Sequence, residues 1–169
     1  MRRVIVLFLC TIVLWAVVAQ VNQGLSDAHV YLFVGGLFVA FTALTQTYGT
    51  GLWTAALAGL LLDANAPVAF GKHMILFATA HFFVFRVRDR VARNDTVSRI
   101  TVAILANLGL FLVLTFLQLL RTPAIAAIWP RMIFDLVCSQ LFIALVGRWY
   151  FALQAKSLVM ARLERETFA

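Results

Sequence analysis

Residues 100–120 run for 21 positions without one charged side chain. As a helix rising ~1.5 Å per residue, such a stretch is ~31 Å long, about the thickness of a bilayer's hydrocarbon core. Five more apolar stretches approach that length: 4–19, 30–45, 50–62, 73–87 and 132–151. Over the 169 residues, 63% are apolar, 12% are charged and the mean hydropathy is +0.96. Soluble domains carry roughly 25% charged residues, so a water-soluble globule of this composition would expose much of its own core. Nine Gly, three Pro and two Cys exclude collagen and a disulfide scaffold. The composition predicts an all-α integral membrane protein, residues 1–169 forming one polytopic domain with about six transmembrane helices.

Charge sets the expected topology. With six crossings and the amino terminus inside, 11 Lys and Arg residues fall on the cytoplasmic side, and only Lys72, Arg121 and Arg131 fall outside. If the short third stretch did not cross, the split would become 5 against 9. The positive-inside tendency therefore selects both termini in the cytoplasm. Tyr31 and Trp129 then meet the outer interface, and Tyr48, Trp53, Trp149 and Tyr150 the inner one. The first stretch follows Arg2 and Arg3 and lacks a clean small-x-small cleavage site, so it is expected to stay as a signal-anchor. In a membrane the net charge of +7 points to anionic lipids rather than nucleic acid. Cys10 and Cys138 are expected to act as small apolar residues.

Three loops stand out. Residues 20–29 are polar and nearly uncharged, residues 63–72 carry turn formers, and residues 86–99 form a basic cytoplasmic loop with five Arg. Residues 152–169, free of Pro and Gly, are expected to continue as a cytoplasmic helix.

Few residues suggest chemistry. Gly51, Ala55 and Gly59 stand four apart, so one helical face is small enough for a neighbouring backbone to approach it. Asp63 continues that series at a helix carboxy-terminus, where the macrodipole opposes a negative charge. It therefore needs a local partner, with Lys72, His73 and the amides of the following turn as candidates. Asp135, near the amino end of the sixth stretch, suits that end of the dipole, and Ser139 extends a polar stripe from it. His81, in mid-span, is expected to be neutral and hydrogen-bonded to a neighbouring helix, with Asn107 and Gln118 as candidates. The sequence contains no HExxH, GxSxG, P-loop or dinucleotide fingerprint, so no catalysis, cofactor or metal is expected.

The run Gly49-Thr-Gly51, then Gly59-Leu-Leu-Leu-Asp63, Pro67, Phe70-Gly71 and His73, followed by Arg86-Val-Arg-Asp-Arg90, resembles the rod-shape-determining protein MreD family. Two departures stand beside it. Ala-Asn-Ala-Pro follows Asp63 where the family often has a Gly-containing turn, and Ala69-Phe70 replaces the usual Leu before Gly. The resemblance implies a non-catalytic scaffold of the cell-wall elongation machinery in the bacterial inner membrane. It would act with the bitopic protein MreC, alongside MreB and the peptidoglycan polymerase and transpeptidase. Gly51, Gly59, Asp63, Pro67, Gly71, His73, Arg86, Arg90 and Asp135 would be its structural or partner-binding residues. The resemblance also implies a fold similar to the S subunits of energy-coupling-factor vitamin transporters.

Such an S subunit is itself the rival reading, because the loop at 20–29 with Asp63 and Asp135 could line a pocket. Against it, Ala16 and Ala19 are three apart, which breaks the AxxxA spacing that those subunits use for docking. A third class, an ion or proton pathway, would run through His81.

Overall fold

The computed structural model describes residues 1–65, 70–90, 95–119 and 129–163. Among these the chain is mostly helical and contains no strand. Its helices are α1 (Arg2–Gly24), α2 (Gly35–Thr45), α3 (Tyr48–Asn65), α4 (Lys72–Val87), α5 (Thr96–Leu119) and α6 (Trp129–Met160), with a 3-10 turn at Arg88–Arg90. Three of them, α1, α5 and α6, are long and apolar enough to cross a membrane.

The helices arrange themselves around α2. Every residue from Gly35 to Leu44 is buried, under α3, α4, α5 and α6. Small residues permit this, since Gly36 lies directly beneath the Ala103 carbonyl of α5. Leu37, Phe38 and Val39 meet Leu7 of α1, Phe77 of α4 and Ile143 of α6 in one continuous core. The outside is apolar as well. Ile5, Leu9, Val13 and Val17 of α1 are each more than half exposed, as are Leu141, Leu145 and Trp149 of α6. Apolar faces this extensive are not compatible with water, so lipid is the solvent that this membrane protein requires.

The structure corrects two expected boundaries. Residues 30–45 do not form one helix: residues 30–34 have no regular secondary structure, and α2 begins only at Gly35. Its 11 residues give ~16 Å, about half a bilayer core. The β-branched and aromatic run Val30-Tyr31-Leu32-Phe33-Val34 is a poor helix former, and polar side chains replace the missing helical bonds. The Tyr31 N–H donates to Asp135 Oδ1 (3.0 Å) and the Phe33 N–H to Ser139 Oγ (2.9 Å), both on α6. Leu32 exchanges two bonds with the Asn22 side chain of α1, and the Gly36 N–H donates to Asn107 Oδ1 of α5. For the same reason the loop expected at 20–29 is shorter: α1 continues to Gly24, which brings Asn22 level with Leu32.

At the opposite end Arg3 donates to the Leu163 carbonyl, tying the start of α1 to the chain just beyond α6. Residues 152–160 are the last turns of α6, with no break after position 151. Leu158 is fully buried there and Cys10 Sγ lies 3.4 Å from Ser157 Oγ.

Candidate functional site

Gly51, Gly59, Asp63, Gly71, His73 and Arg86 lie in the antiparallel hairpin of α3 and α4, and Arg90 in the 3-10 turn that follows it. Gly51 packs beneath the His81 ring, and a Cβ on Gly59 would stand 2.5 Å from the Met74 Cα. The small-residue stripe is therefore used inside the molecule, where it draws α4 onto α3 until backbone meets side chain.

Asp63 closes the loop end of this hairpin. Its Oδ1 accepts the His73 N–H (3.0 Å) and lies 2.8 Å from His73 Nδ1. Its Oδ2 accepts the N–H groups of Gly71 (3.0 Å) and Met74 (3.2 Å). Since a carboxylate only accepts, Nδ1 carries the proton in the His73 contact. His73 and Met74 are the second and third residues of α4, whose amides an in-chain N-cap side chain would normally satisfy. The N-cap here is Gly71, which has no side chain and sits at φ +93°, a left-handed conformation that favours glycine. Asp63 caps α4 from the neighbouring helix instead. The macrodipole conflict is thereby resolved, because the charge that opposes the end of α3 complements the start of α4.

Burial alone would push the Asp63 carboxyl up. The bonds from the His73 amide and ring and from the Met74 amide outweigh burial and hold it below the usual carboxylate range. With both oxygens committed, Asp63 is a structural anion rather than an acid–base group.

Asp135 lies on α6, away from this hairpin, and serves the unwound segment before α2. Pro67 is outside the described residues. Arg86 and Arg90 are exposed. In this region Arg88 has a structural role that the sequence pattern did not single out. Its Nη1 donates to the Gln46 carbonyl (3.1 Å) at the end of α2, and its guanidinium lies 3.7 Å above the Phe85 ring. Position alone was a signal, because a cation following one helix end can cap another that ends at the same level.

His81 is fully buried, but the bond expected from Asn107 is absent. The Asn107 Oδ1 accepts the Gly36 N–H, while the Asn107 Nδ2 and both His81 ring nitrogens have no hydrogen-bond partner among the described residues. The ring packs between Phe85 and Tyr48 with centroids 5.8 and 5.6 Å away. No set of three His, Cys, Asp or Glu able to hold a metal ion occurs among the described residues. No known protein family, curated protein or solved structure matches the chain.

Proposed function

We propose that this protein is a non-catalytic scaffold of the MreD type, acting in the bacterial inner membrane with an MreC-like bitopic partner. In this reading it crosses the membrane six times with both ends in the cytoplasm, in the manner of transporter S subunits. It works beside MreB and the cell-wall polymerase and transpeptidase.

One observation carries the reading. Gly51, Gly59, Asp63, Gly71 and His73, which bear the resemblance, all belong to one closely packed helical hairpin. A shared sequence pattern with that use favours a fixed binding surface over a reactive centre. The exposed apolar faces of α1 and α6 offer room for a partner's membrane helix.

The test is co-expression with the single-span protein encoded beside this one, followed by purification in nanodiscs. A stable complex is expected. Two folded proteins that never associate would overturn the reading.

The transporter reading draws on the unwound segment at 30–34, an interruption of the kind that lines substrate sites in membrane carriers. Here Asn22, Asp135 and Ser139 already bond that segment's own amides. Tight co-purification of a vitamin would favour this reading over the scaffold.

A further inference from the structure

The outer surface of the α3–α4 hairpin carries a groove of about 530 Å³. Ala56 and Ala78 are among its small lining residues, Trp53, Ile75 and Phe82 among its large ones, and Tyr48 lines it near the start of α3. Trp53 is 64% exposed and Ile75 62%, so no other part of the described chain fills it.

Three features identify the occupant. The first is length. On α3 the lining runs from Tyr48 to Ala56 and on α4 from Met74 to Phe82, ~12 Å in each case. That is close to one leaflet of a ~30 Å hydrocarbon core, and too short for a helix that crosses both leaflets.

The second is charge. Arg86 lies one helical turn beyond Phe82 on the same face, with its guanidinium 6.0 Å from that ring. It is exposed, and the nearby acid Asp89 lies 3.7 Å from Arg88 instead. The third is polarity. Tyr48, at the level of Arg86, places an amphipathic ring at the groove mouth, where lipid headgroups begin.

We propose that this groove binds an anionic glycerophospholipid of the surrounding bilayer, with one acyl chain against Ala56 and Ala78 and the phosphate against Arg86. The inference requires only that the hairpin lies in a membrane, and it stands whether or not the scaffold reading holds.

Brominated lipids test it, because bromine quenches tryptophan on contact. The full chain keeps Trp53 as its only tryptophan, with Trp15, Trp129 and Trp149 changed to Phe. It is reconstituted in dibrominated phosphatidylcholine containing increasing fractions of unbrominated phosphatidylglycerol. Phosphatidylglycerol should relieve quenching with about fivefold preference over its mole fraction, which is what one basic side chain supplies at an anionic surface. Arg86→Ala should bring that preference close to unity, and so should Ala78→Phe, which fills the groove without touching the charge. Arg2→Ala with Arg162→Ala, at the same end of the bundle, should leave it in place.

Equal access of the two lipids to Trp53 would overturn the proposal. So would an equal loss in the Arg2/Arg162 variant, which would mark a diffuse surface field. Trp53 shielded from all lipid and cross-linked to a second copy or to another membrane helix would overturn it too.

Discussion

The Asp63 carboxylate and the His73 ring, 2.8 Å apart, join the end of one helix to the start of the next. Removing the carboxylate strands the amides of Gly71, His73 and Met74 in a largely buried corner. Asp63→Ala is expected to cost about 1.5–3 kcal/mol, the range for hydrogen bonds to a charged group. Asp63→Asn should cost less, since one oxygen still accepts. Thermal unfolding of the detergent-solubilised protein measures both.

Acid should weaken the same contact. The native Asp63 carboxyl titrates below its unfolded counterpart, whose ordinary value is near 4. Its stabilisation is therefore complete above that value and is lost as pH falls through the lower native one. Melting temperature followed downward from pH 5 should fall more steeply in the parent than in Asp63→Asn. Parallel curves would refute the assignment.

Gly59 tests how closely the hairpin is packed. A side chain there meets the backbone of α4 at 2.5 Å, and backbone cannot rotate away. Gly59→Val should destabilise the protein by about 1–3 kcal/mol through overpacking. At Gly49, where nothing lies within 4 Å, Ala should be tolerated.

The amides of residues 31–36 depend on distant side chains. Ser139→Ala leaves the Phe33 N–H without an acceptor, and Asp135→Ala does the same to Tyr31. Hydrogen–deuterium exchange should accelerate in a peptide covering this segment in both variants. Unchanged protection would show that these contacts do not hold it.

His81 should be dispensable for stability. Its ring nitrogens have no partners, and replacing an unpaired buried polar group with an apolar one of similar size is close to neutral or favourable. His81→Leu should melt at or above the parent temperature. A loss of conductance in that variant, with the fold intact, would revive the ion-pathway reading.

Much of this architecture was legible from hydropathy and dipole arguments. The three long helices follow from runs of apolar residues, and Asp63 was traceable because a carboxylate at a helix end demands a partner. The break before α2 was not, because Val30-Tyr31-Leu32-Phe33-Val34 is as apolar as any span. Hydropathy records the solvent around a segment and does not record its backbone conformation. The acceptors for those amides lie on other helices, up to 106 positions away, beyond any local pattern. His81 failed for a related reason: the expectation gave it Asn107 or Gln118. Whether side chains of separate helices meet is set by tertiary packing, which leaves both ring nitrogens without a partner among the described residues.

The jacketed helix α2 constrains how the chain is made. Its flanking amides find their acceptors partly on α6, which leaves the ribosome about a hundred residues after them. Until then this early segment must wait inside the insertion machinery or in some provisional pairing. Nascent chains truncated before residue 135 should therefore remain attached to the translocon, and release should coincide with the arrival of α6.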